Sequence, residues 1–204
     1  VMSITTHTEL KTAVKNWLNR GTELDSYLDD LVLFGEKRIY RKLRVRAMET
    51  ALSVTISSGV AAIPSDYVEL KYAYLSTTPV TKLNMKEAGW IIEAYPTRSA
   101  DGLPKFFAQD GSNFIFGPYP DSGYTLSGTY YKRLDPLAST TNAIFTTHPD
   151  LYLFAALAES AIFLKASDQR LAVWEARFND VLGQVQGEYN KGRLSGGALQ
   201  MVPA

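Results

Sequence analysis

Cysteine is absent from the 204 residues of this chain. That excludes a disulfide framework, a thiolate zinc site and a cysteine nucleophile. Histidine occurs only as His7 and His148, too few for a His-based triad or metal cluster. His148 beside Asp150 can be drawn as a ligand pair, but His148-Pro149-Asp150 reads first as the opening turn of a helix with an acidic cap. Phosphate-binding glycine loops are missing, and so is a Gly-x-Ser-x-Gly elbow. No apolar run approaches the roughly 20 residues of a membrane span. Residues 1–7 carry neither a basic region nor an apolar core, so no secretory signal is expected there. No cofactor, no metal and no membrane contact are expected.

An excess of either charge sign is also lacking. Lys and Arg number 21, as do Asp and Glu. A free nucleic-acid binder usually carries a basic excess, so tight DNA wrapping is not expected. A neutral surface resists association poorly, which suits a subunit of an assembly. Tyrosine is plentiful, with 12 residues. Tyr-rich strands suit half-exposed sheets or interfaces, where the ring packs and the hydroxyl stays wet.

The pattern along the chain is helix, helix, strands, short helix, strands, helix, helix, tail. Thr6 and Glu9 form a capping box for a first helix from about Thr8 to Asn19, ended by Gly21. Leu24, Leu28, Leu31, Gly35, Ile39 and Leu43 form one apolar stripe on a second. Leu52, Val54 and Ile56 alternate as a strand, and Val60 to Ile63 reads as its hairpin partner. Met85 to Tyr95 reads as a short helix. Asp110-Gly111 between Phe106-Phe107 and Phe114-Ile115-Phe116 signals a second hairpin. Tyr124 to Tyr130 is a last strand, and Leu134 to Thr147 a long loop without pattern. Thr147 with Asp150 resembles a capping box for a third helix, whose Leu151–Leu164 run is apolar nearly all round. Leu171, Trp174, Phe178, Val181, Val185 and Tyr189 stripe a fourth.

The fold expected is α+β: a four-helix bundle of the two N-terminal and two C-terminal helices, with an inserted antiparallel β lobe. The bundle takes residues 1–48 and 148–190, the lobe 49–147, and a Gly/Ser-rich tail for partner docking 191–204.

Chemistry is sparse. A paired-carboxylate glycosidase needs only two acids, and Asp66, Glu69, Asp101, Asp110 and Asp121 are available, each in a turn or on a strand edge. The Phe- and Tyr-bearing hairpin offers a carbohydrate platform as an alternative to core and interface. The sharpest charge feature is the cationic run of Lys37, Arg38, Arg41, Lys42, Arg44 and Arg46. It reads as a docking surface for an acidic chain, as phosphate contacts, or as a solvated helix end favoured by the C-terminal dipole. In the tail, Arg193, Leu194, Leu199 and Met201 are candidate docking residues.

The order of elements resembles the head-to-tail adaptor (neck connector) proteins of tailed bacteriophages, particularly of short-tailed phages. The residues that carry the resemblance run through the chain: Ala62-Ile63-Pro64-Ser65-Asp66-Tyr67, the strands around Phe114–Pro120 and Tyr124–Tyr131, Asn142-Ala143-Ile144-Phe145 with His148-Pro149-Asp150-Leu151-Tyr152, and the helix pair Ala156–Lys165 and Trp174–Val185. The resemblance implies a non-enzymatic homo-oligomeric ring, a dodecamer, in the virion neck at the portal vertex, made in the host cytoplasm. It implies portal protein, tail or nozzle proteins, and packaged double-stranded DNA passing without sequence-specific binding as partners, with the C-terminal segment reaching toward the portal. A virion-borne glycan-acting enzyme or a small carbohydrate-binding module is the competing expectation.

Overall fold

The computed structural model describes residues 4–99 and 101–194. It is a mixed α+β protein of two compact units: one takes the chain through Ala47 and again from Leu134, the other is Met48–Arg133.

In the helical unit, α1 (His7–Leu18) opens on the expected capping box: Thr6 accepts from the Glu9 N–H while the Glu9 side chain caps the Thr6 N–H. Its stop is Asn19, not Gly21. Asn19 adopts the left-handed conformation at φ 51°, and its N–H closes on Asn16 and Lys15. A 3-10 turn over Thr22–Leu24 precedes α2 (Leu28–Lys42), and the predicted stripe from Leu24 to Leu43 is buried throughout. The segment expected to be a patternless loop contains α4 (Ala143–Thr147), capped by the Asn142 side chain on the Phe145 N–H. Next come α5 (Pro149–Phe163) and α6 (Asp168–Leu194).

Pro149 sits at the start of α5, where its missing N–H costs nothing. The capping box proposed for Thr147 and Asp150 does not form. His148 is the N-cap without a side-chain bond, and the Thr147 hydroxyl donates to the Ala143 carbonyl within α4. As its composition predicts, α5 is buried on most sides, and α1, α2 and α6 all pack on it. Gly35 lets α2 approach α5 closely. A Cβ there would stand 2.9 Å from the Ala156 nitrogen.

The β unit holds two four-stranded sheets. Their strands are β1 (Glu49–Thr55), β2 (Val60–Ala62), β3 (Tyr67–Leu75), β4 (Thr81–Lys82), β5 (Asn84–Met85), β6 (Phe106–Asp110), β7 (Asn113–Gly117) and β8 (Thr125–Lys132), ordered β1-β8-β3-β4 and β2-β7-β6-β5. Two sequence expectations fail here. First, β2 pairs with β7 rather than with β1, whose partner is β8; the local turn closes only as a bridge between Ser57 and Val60. Second, the lobe is not wholly antiparallel, because β5 runs parallel to β6. The Asp110-Gly111 hairpin forms as expected, with Gly111 at φ 57°.

Leu52, Leu75, Phe107, Phe114, Phe116 and Leu126 come from both sheets, with Ile56 just past β1, into one apolar core. On the opposite side of the second sheet, Ala108 and Ile115 meet Ile91 of α3 (Ala88–Ala94). This covering explains why β7 is buried on both faces.

The unit boundaries fall at Met48 and Leu134, whereas the sequence pattern sets them at residues 49 and 148. The segment from Leu134 belongs with the helices because Leu134, Leu137, Ile144 and Phe145 are buried and Glu36 of α2 holds the Leu137 N–H. The helix expected to end at 190 runs to Leu194. The remainder of the tail, with Leu199 and Met201, lies outside the described residues, as do the side chains of Arg193 and Leu194.

Candidate assembly interface

Helix α2 ends in a cationic turn. Its aspartates, Asp29 and Asp30, lie in the first turn and Arg41 and Lys42 in the last, the arrangement that the helix dipole favours. The six cations singled out in this region divide by what they touch.

Arg38 is half-buried and faces inward. One guanidinium nitrogen donates to Glu159 of α5 at 3.2 Å and the other pairs with Glu175 of α6, while the guanidinium lies 4.7 Å from the Phe178 ring centre. Burial disfavours its charge, but the two carboxylates more than offset this and raise its pKa. Lys42 lies over the same ring and reaches Asn179 at 3.4 Å. Arg44 is tied by its side chain to the Tyr40 and Leu43 carbonyls at 2.9 and 2.8 Å. Gln186 of α6 brackets the Arg44 backbone, accepting from its N–H at 3.1 Å and donating to its carbonyl at 2.9 Å. Sequence reasoning gave no reason to single out Gln186; only its position, one residue after the buried Val185, hinted at a contact.

Lys37, Arg41 and Arg46 are exposed. Phe34, 49 % exposed, lies one turn before Lys37 on α2, with the ammonium 6.0 Å from its ring centre. Phe34, Lys37 and Arg41 are spaced along one helix face. Lys37 and Arg41 form no ion pair among the described residues. The outward part of the cationic run is thus smaller than the sequence suggests, and it carries an aromatic ring.

Behind α2 lies a buried polar cluster. Asn142 accepts from the Tyr152 hydroxyl at 3.0 Å and donates to the Tyr40 hydroxyl at 3.2 Å. Burial pushes Tyr40 up to about 12 and raises Tyr152 as well. Among the described residues no buried side-chain polar atom lacks a partner, so this cluster fixes structure.

Of the five acids available for hydrolysis, two hold tyrosine hydroxyls. Asp66 accepts from the Tyr130 hydroxyl at 2.8 Å and, through its carbonyl, from the Arg133 N–H. Asp121 accepts from the Tyr124 hydroxyl at 2.6 Å. Glu69, Asp101 and Asp110 are exposed. Phe107, Phe114 and Phe116 of the hairpin are core residues, at most 2 % exposed, and form no binding platform. Among the described residues, no group of three His, Asp or Glu is placed to hold a metal ion, and no helix is long and apolar enough to cross a membrane.

A family model described as SU10 adaptor protein matches residues 5–199 of the chain. No curated protein matches it.

Proposed function

The chain belongs to the SU10 adaptor protein family, a family of phage head-to-tail adaptors, and from that membership we propose that it is a structural ring subunit joining portal to tail in the virion neck. The single observation that carries this reading is the family match, which spans both units. In this reading copies associate head-to-tail around a closing rotation, giving a dodecamer. Packaged double-stranded DNA passes along the axis and is retained there. A balanced net charge suits that task, because a strongly basic channel would hold DNA by its phosphates. The subunit is not an enzyme: its work is to present surfaces.

Helices α1, α2, α5 and α6 act in this proposal as a four-helix bundle that forms the ring wall, with α5 as its inner member. The β unit serves tail or nozzle proteins. The face of Phe34, Lys37 and Arg41 docks an acidic surface of a neighbour, and the segment beyond Leu194 reaches the portal. Rigidity favours the reading: Arg38 cross-links three helices, and Gln186 joins α6 to the end of α2. Electron microscopy of the purified protein mixed with its cognate portal tests it. Rings seated on the portal are expected. Portals that remain bare at saturating protein would overturn it.

A further inference from the structure

The helical unit carries a second surface, away from the cationic end of α2. The end of α1, the end of α5 and the first turns of α6 frame an open groove of about 640 Å³, within the size range of ligand-binding clefts. Trp17, Phe154 and Trp174 meet beside it as a three-ring cluster, with centres 5.7 to 6.3 Å apart. Trp17 and Val173 are each 53 % exposed. Tryptophan left half in water beside aliphatic neighbours is a feature of binding surfaces.

The charge of the groove has one sign. Arg20, Lys165 and Arg170 line it, and no carboxylate does. Arg20 has a loose, exposed contact with Glu23 at 4.0 Å. Lys165 and Arg170 have no ion-pair partner among the described residues. Arg20 and Lys165 follow helix C-termini, where the dipole favours a cation. Arg170 does not: it sits in the first turn of α6, where the dipole opposes a cation. Helix capping therefore does not account for the set.

We propose that this groove docks a partner peptide bearing aliphatic or aromatic anchors flanked by Asp or Glu. The anchors pack on Trp17, Trp174 and Val173, and the carboxylates meet Lys165 and Arg170. The chain's own residues 195–204 do not fit this description. They contain no Asp or Glu. Within one subunit Leu199 and Met201 also fall short of it: at ~1.5 Å of rise per residue, Leu194 stands about 30 Å beyond Trp174 along α6, and at ~3.6 Å per residue an extended chain carries Met201 only about 25 Å from Leu194. The inference does not rest on ring formation.

The test is fluorescence anisotropy of the full chain with a fluorescein-labelled peptide, Asp-Glu-Leu-Phe-Asp-Glu-Leu. Two control peptides replace its acids by Lys or its Leu and Phe by Ser. Saturable binding of the first peptide alone is expected, weakened by added salt. The double variant Lys165→Glu and Arg170→Glu should weaken it about tenfold or more, and Trp17→Ser should weaken it without charge change. All three altered residues are exposed, and circular dichroism checks that the variants stay folded. No binding of the acidic peptide, equal binding of the Lys control, or binding unmoved by these variants overturns the proposal. So does tighter binding of a peptide of residues 195–204, which would assign the groove to a second copy of the chain.

Discussion

The Glu36 carboxylate of α2 accepts the Leu137 backbone N–H at 2.8 Å, and Glu36 is only 3 % exposed. This bond ties the segment leading to α4 onto the second helix. A carboxylate so placed is costly, because burial pushes its pKa up and the N–H of Leu137 pulls it only partly back. A raised folded pKa means that the folded state holds the proton more tightly than the unfolded chain. Stability contributed by Glu36 is therefore full below the unfolded pKa, near ~4.3, and is lost as pH rises through the folded pKa. Glu36→Gln keeps an acceptor oxygen and removes the titration. The variant is expected to melt higher than the parent at neutral pH, with the gap closing near pH ~4. Melting curves across that range check it; a gap independent of pH counts against this account.

Gly35, one residue earlier, sets the spacing of α2 and α5. Adding a Cβ there brings it 2.9 Å from backbone and 3.3 Å from the Ala155 Cβ. Gly35→Ala should cost about 1–3 kcal/mol through overpacking. A Cβ added at Gly183 of α6 would meet nothing within 4 Å, so Gly183→Ala should stabilise by about 0.5–1 kcal/mol through helix propensity. Denaturant titration of both variants reads the opposite signs directly.

Arg38 and Arg41 are near neighbours on one helix with different duties. Arg38→Ala leaves Glu159 and Glu175, both partly buried, without their shared cation. A loss of about 2 kcal/mol is expected, below the cost of breaking a fully buried pair. Lys37→Glu with Arg41→Glu should change stability by less than about 0.5 kcal/mol, as exposed substitutions do, yet reduce assembly onto the portal. Equal portal binding by this double variant, at unchanged melting temperature, would remove the docking role.

Truncation after Leu194 leaves all described elements in place. The shortened chain should melt as the full chain does and bind the portal more weakly. Sedimentation of portal mixtures with each chain distinguishes the two.

What the sequence disclosed was mostly local. The Thr6–Glu9 capping box, the Leu24–Leu43 stripe and the Asp110-Gly111 hairpin depend on residues a few positions apart, and each formed. What it hid was nonlocal. The Ser58-Gly59 turn is real, with both residues at positive φ, but the strand after it joins β7 in the other sheet. Its turn chemistry says nothing of which sheet the next strand enters. Asn142 looked like part of an unpatterned loop because its partners, Tyr40 and Tyr152, lie on two different helices. Arg38 looked like part of a basic surface because its carboxylates, Glu159 and Glu175, are far along the chain. The cationic run reads as one surface in the sequence, and spacing alone does not separate exposed positions such as Lys37, Arg41 and Arg46 from Arg38.

Native mass measurement of the purified portal before and after saturation with this protein tests the ring proposal most directly. The account predicts a single added mass equal to a dodecamer of 22.6 kDa subunits, with no partly filled species dominating. No added mass, or one subunit bound at a time without closure, contradicts it.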